Sequence, residues 1–134
     1  MPSVSENEAV FYPELSSYEY GGAKEPNVHN IGWLDANHTF EHGTVPEEAL
    51  SNLLRLSASP VNKTRGWHTC PFCHAPPPIT IRLDTRTIQM GDAEVRVTGG
   101  DGQVYAAPNL LYHYIEKHGY KPPEEFVEAL IASL

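Results

Sequence analysis

The chain is poor in basic residues, in cysteine and in long apolar runs, and each shortage removes a class of function. Lys and Arg together number 9 against 17 Asp and Glu, leaving a formal charge of −8 and a pI near 5.2. Such a surface repels phosphate backbones on average, so nucleic acid is not an expected partner. Lys63 and Arg65 form a small basic exception just before the cysteines, but the net sign weighs against giving it a role. No apolar stretch approaches membrane-spanning length, so no membrane association is expected. The segment from Met1 to Phe11 is acidic and polar rather than signal-like, which points to a cytoplasmic address. Cysteine occurs twice, both in one C-x-x-C, so no wider disulfide framework can form. The H-E-x-x-H, P-loop, G-x-G-x-x-G and G-x-S-x-G patterns are all missing.

What remains is a chain of 134 residues, the size of one ordinary domain, with 40% apolar residues and enough core to fold without staples. Twelve prolines and 10 glycines predict short elements joined by many loops. Residues 1–45 show little regular period but carry Phe11, Tyr12, Tyr18, Tyr20, Trp33 and Phe40. That density of aromatics is unlike a disordered tail and predicts an irregular arm anchored by its rings. A helix is expected at about 45–57. Thr44 and Glu47 have capping-box spacing, Pro46 suits the first turn, and Ala49, Leu50, Leu53 and Leu54 make one stripe.

The middle of the chain alternates as strands do. Ile79, Ile81 and Leu83 are followed across a polar bend by Ile88 and Met90, then by Val95 and Val97. Gly99-Gly100-Asp101-Gly102 is a turn signal before Val104 and Tyr105. Two helices close the chain, one with Leu110, Leu111, Tyr114 and Ile115 on one face and Gly119 after its end. The other starts at Pro122-Pro123-Glu124-Glu125 and carries a stripe of Phe126, Val127, Leu130, Ile131 and Leu134. The expected architecture is a single α+β domain over 1–134. It has a small antiparallel sheet packed with three helices across 46–134 and an irregular N-terminal arm over 1–45.

The stretch His68-Thr69-Cys70-Pro71-Phe72-Cys73 carries the most chemistry. Two thiolates three residues apart can grip one tetrahedral ion from a tight turn whose backbone N–H groups face the sulfurs. The turn resembles the C-P-x-C knuckle of zinc ribbons and treble clefs, with His74 where those have Gly. The second ligand pair must be histidine. His113 and His118 have the H-x4-H spacing used in zinc fingers, so the expected zinc ligands are Cys70, Cys73, His113 and His118. On a regular helix that five-residue step leaves the two rings about 140° apart. It would place His118 on the apolar face and His113 on the polar side. Both reach one ion only if the last turn tightens or widens, which Gly119 makes feasible. If the helix stays regular, His68 is the alternative ligand.

Rival readings of these residues are weaker. A redox C-x-x-C sits at a helix N-terminus, whereas Cys73 is followed by His74-Ala75-Pro76-Pro77-Pro78, which cannot begin a helix. Zinc deaminases need a His-x-Glu and a Pro-Cys-x-x-Cys in the reverse order, and neither is present. His38 and His42 are four apart near Asp35 and Glu41, but surface histidines are the plainer account.

Four segments make the chain similar to a family of small uncharacterised bacterial proteins. They are Tyr12-Pro13-Glu14-Leu15-Ser16-Ser17-Tyr18-Glu19-Tyr20, Asn30-Ile31-Gly32-Trp33-Leu34-Asp35, Arg65-Gly66-Trp67-His68-Thr69-Cys70-Pro71-Phe72-Cys73, and Tyr105-Ala106-Ala107-Pro108 running into His113 through Pro123. The resemblance implies one compact domain with a metal site, near which His68 is a candidate. It implies no particular activity. The expected function is a zinc-stabilised module that binds another protein, since an acidic surface with Tyr and Trp suits protein recognition. The alternatives are a small zinc-dependent enzyme with an open metal position and, against the charge, a nucleic-acid reader.

Overall fold

The structure is a computed structural model that describes residues 11–20, 23–62, 69–73, 76 and 78–133. Its elements run β1 (Ser17–Tyr20), β2 (Ala23–Asn30), α1 (Glu47–Ser57), β3 (Ile79–Leu83), β4 (Arg86–Met90), β5 (Glu94–Thr98), β6 (Val104–Pro108), α2 (Leu111–His118) and α3 (Glu124–Ala132). Among the described residues the class is α+β with three helices, as the periodicities imply.

Two sheets divide the strands. Four form the order β1-β2-β6-β5, while β3 and β4 pair as a separate hairpin. The β5–β6 hairpin follows the glycine signal, with Thr98 opposite Val104 and Gly99 N–H on the Gln103 carbonyl at 2.8 Å. The β3–β4 turn places Asp84 at φ 55, a left-handed conformation that Asp tolerates better than most residues.

Two particulars of the strands differ from the sequence expectation. The larger sheet is mixed, because β2 runs parallel to β6 with Val28 opposite Val104 and Asn30 opposite Ala106. A parallel pair needs a long crossover, and the chain supplies one through α1 and the β3–β4 hairpin. The second difference lies within residues 1–45, where 17–20 and 23–30 are strands. Strand β2 contains Pro26 and few apolar residues, so no apolar period announces it. Its order comes from backbone pairing with β1 on one side and β6 on the other. From Ile31 to Pro46 the backbone is irregular apart from one bridge, His42 to Tyr120.

Helix α1 starts later than the capping box requires. Pro46 occupies the N-cap at φ −56, ψ 142, and no side chain caps the helix. Thr44 thus stands too far back to reach the first free N–H groups. Glu47 and Glu48 in the first turn supply the favourable negative charge instead. The main core gathers Ile31, Leu53, Val95, Val97, Tyr105, Leu110, Leu111, Tyr114, Phe126 and Leu130, all at 1–2% exposure or less. Cys70 belongs to the same cluster.

Two contacts fix where α2 lies. Asn109, fully buried just before the helix, accepts N–H bonds from Gly91 at 2.7 Å and Ala93 at 3.3 Å, and donates to Asp92. It ties the β4–β5 connection to the helix start. Gly32 passes under the helix at φ 71, and a Cβ there would stand 2.3 Å from Leu111 Cδ1. Only glycine permits that approach together with that φ.

Candidate metal centre

Cys70 and Cys73 sit in a turn of residues 70–73 that faces α2. Pro71 sets φ for the turn. The backbone N–H groups of Phe72 and Cys73 bond to Cys70 Sγ, which is the knuckle arrangement expected from the spacing. Phe72 packs the turn against α2, edge-on to Tyr114 at 5.8 Å and tilted to His118 at 5.5 Å. Phe40 backs it at 5.1 Å.

The two histidines meet on the helix. Their Nε2 atoms lie 3.3 Å apart despite the five-residue step. The helix end shows how. Gly119 takes the left-handed conformation, φ 70 and ψ 19, and Tyr120 N–H bonds the Tyr114 carbonyl at 3.2 Å, six residues back. The Schellman ending spans five residues in the same bond, so this final turn is wider by one. The widening and the reach of two imidazoles absorb the angular mismatch of a regular helix. The burial order is the reverse of the regular-helix expectation: His113 is buried at 7% exposure and His118 is half-buried. Both rings meet the knuckle, His113 at Cys73 and His118 at Cys70 and Phe72.

Across the gap, Cys70 Sγ stands 3.3 Å from His118 Nε2, and Cys73 Sγ stands 3.4 Å from His113 Nε2. All four donor atoms lie within 4.8 Å of one another, a group able to hold a metal ion. His68, the alternative ligand, lies outside the described residues, as do Lys63 and Arg65. His38 has gone elsewhere, bonded to Asp35 at 2.6 Å and stacked on Phe11 at 3.7 Å. His42 stacks on Phe40 at 4.4 Å.

The electrostatics suit a cation. Burial pushes the Cys70 thiol up to about 11, with the Phe72 and Cys73 N–H groups pulling the other way. Burial lowers His113 from its ordinary range, and the nearby His118 and Lys117 charges add to that. Burial lowers His118 as well. Neutral imidazoles are the ligating form, and a divalent cation would compensate the Cys70 thiolate that burial alone disfavours.

A second polar cluster lies near the bridge between Val61 and Glu94, where sequence reasoning placed nothing. Glu94, 9% exposed, accepts the Tyr18 hydroxyl at 2.9 and 2.8 Å and Asn62 Nδ2 at 3.1 Å. Arg96 lies 4.5 Å over the Tyr18 ring and 3.3 Å from Glu25. Burial, with Glu94 beside it, raises the Tyr18 phenol to about 12. These contacts fasten edge strand β1 to β5, and the alternation Glu94, Arg96 on β5 was the available signal.

The model of the family described as Domain of unknown function (DUF7919) matches residues 10–131, and the chain belongs to that family. Comparison with curated proteins and with solved structures gave no match. No helix of the described residues is long and apolar enough to cross a membrane.

Proposed function

We propose that this member of the family is a zinc protein. Cys70, Cys73, His113 and His118 close a structural site, and the stapled fold serves as a protein-interaction or regulatory module. One observation carries the metal assignment: four donors from two distant segments converge within 4.8 Å of one another. Zinc bonds of about 2.3 Å to sulfur and about 2.0 Å to nitrogen would set nitrogen pairs about 3.3 Å apart and nitrogen–sulfur pairs about 3.5 Å apart. The nitrogen pair stands 3.3 Å apart, and two of the four mixed pairs stand 3.3 and 3.4 Å apart. Two sulfurs with two imidazoles favour zinc over the oxygen-seeking cations. Four protein donors leave no position for substrate, which supports a structural rather than a catalytic ion.

The module half of the proposal rests on surface chemistry. The net charge of −8 suits a basic or neutral protein partner over a nucleic acid. Tyr12 is 40% exposed and meets Trp33 edge-on at 5.4 Å, the residue types favoured at protein interfaces. A single domain over residues 1–134 and a reducing, cytoplasmic setting that keeps both thiols free belong to the same reading.

Elemental analysis of purified protein tests the metal, with one zinc per chain expected. Cobalt substitution reads the ligands, with sulfur-to-cobalt charge-transfer bands and intense tetrahedral d–d bands expected. Cys73→Ala and His118→Ala should lose zinc and stability together, while His68→Ala keeps both. A variant that loses one ligand, still folds, and abolishes a measurable reaction would turn the assignment to an open, catalytic zinc.

A further inference from the structure

We propose that Cys73 is a redox modification site: a small peroxide oxidises its thiolate, Cys70 resolves the product as a Cys70–Cys73 disulfide, and the chain gives up its zinc. The proposal rests on the zinc assignment above and adds a control of the same site.

Access differs between the two sulfurs. Cys73 is half-buried, whereas Cys70 is 2% exposed inside the main core. A peroxide from solvent therefore meets Cys73 first. Metal ligation holds both sulfurs as thiolates, the nucleophilic form. The partner for the oxidised sulfur is already in place, since both sulfurs belong to a donor group no more than 4.8 Å across. A disulfide needs about 2.0 Å between them, a shift that one turn of four residues can make. The chain has 2 cysteines in all, so no other thiol of the chain competes as the resolving group. Met90, a further sulfur, is sealed in the core at 2% exposure.

The chemistry balances with the peroxide as oxidant. Cys73 thiolate attacks the O–O bond, an S–O bond forms, and hydroxide leaves. Cys70 thiolate then attacks the Cys73 sulfur, the S–S bond forms, the S–O bond breaks, and a second hydroxide leaves. Two electrons pass from the thiolates to the peroxide. Disulfide sulfurs are poor ligands, so only His113 and His118 remain as donors. The change is mechanical as well. The end of α2 is tied to the 41–43 segment through Gly43 N–H on the Gly119 carbonyl at 3.1 Å and Lys121 N–H on the Glu41 carbonyl at 2.9 Å. Losing the ion loosens the knuckle against this junction, where Phe72 packs on His118.

The test treats the full-length zinc-loaded chain with hydrogen peroxide, following zinc with a chromogenic chelator and the chain by intact mass. The expected result is one zinc released per chain with the loss of two hydrogen masses, both reversed by a dithiol reductant and added zinc. In Cys70→Ser, peroxide should stop at a dimedone-reactive sulfenic acid on Cys73. Zinc retained through peroxide, direct passage to a sulfinic acid, or faster labelling of Cys70 in Cys73→Ser would overturn the assignment. Protein that takes up no zinc before peroxide is added refutes the metal reading instead, so the two failures are told apart at the loading step.

Discussion

Stripping zinc from the site should cost about 4 kcal/mol of folding stability. An ion held there would join Cys73 to His113 across 40 residues and Cys70 to His118 across 48. Treated as one cross-link over a loop of about 40 residues, the closure removes unfolded-chain entropy worth about 4 kcal/mol at 25 °C. For a chain of 134 residues, each kcal/mol moves the melting temperature by about 3–5 °C. Chelator-treated protein should therefore melt about 12–20 °C below the zinc-loaded form. Re-addition of zinc should restore the loss, and Cys73→Ala should melt at the lower temperature with or without chelator. Circular dichroism melts at fixed protein concentration make the measurement. A zinc-loaded and a stripped sample melting within about 3 °C of each other would show that the knuckle and α2 are held by the core alone.

Three further perturbations probe the frame around the site. Gly32→Ala combines a left-handed φ of 71 with a Cβ 2.3 Å from Leu111 Cδ1, so it should cost about 2–5 kcal/mol in urea unfolding, from backbone strain plus overpacking; a loss under about 1 kcal/mol would mean the segment after β2 can move away from α2. Asn109→Ala leaves the Gly91 and Ala93 N–H groups without their buried acceptor, which should cost about 2–4 kcal/mol, read in the same assay. Glu14 is exposed as a residue, but its carboxyl end turns in to the Tyr120 hydroxyl and to Gly32 N–H at 2.7 Å. Desolvation raises its pKa above 4.5, against the lowering effect of those two bonds. The folded chain then holds this proton more tightly than the unfolded chain. The associated stability is present below pH 4.5 and is lost as pH rises through the higher folded value. Glu14→Gln should therefore gain stability relative to the native chain between pH 4 and pH 7, and an unchanged difference between those two pH values would contradict this.

The amphipathic stripes of α1, α2 and α3 were legible because each helix buries one face, and periodicity records that directly. Leu110, Leu111, Tyr114 and Ile115 are all buried as their spacing implies. The β5–β6 hairpin was legible because its glycines mark a turn that only local chemistry decides. Strand β2 was not, since it has no apolar period and one of its two neighbours, β6, lies far along the chain. The Glu94, Tyr18, Asn62 and Arg96 cluster was equally hidden, because its members come from three separate segments. The capping box at Thr44 and Glu47 was legible yet not formed, because Pro46 claimed the N-cap position.

By itself the sequence determined the donor inventory: two thiols in one tight turn, a histidine pair on a helix, and no other cysteine to bridge. Those are matters of residue type and local spacing. Only the tertiary structure decided that the pairs face each other, that α2 ends in a turn one residue wider than a Schellman close, and that His113 rather than His118 is the buried ring. The meeting of the pairs depends on which surfaces pack together over gaps of 40 residues or more, and no local pattern encodes that meeting.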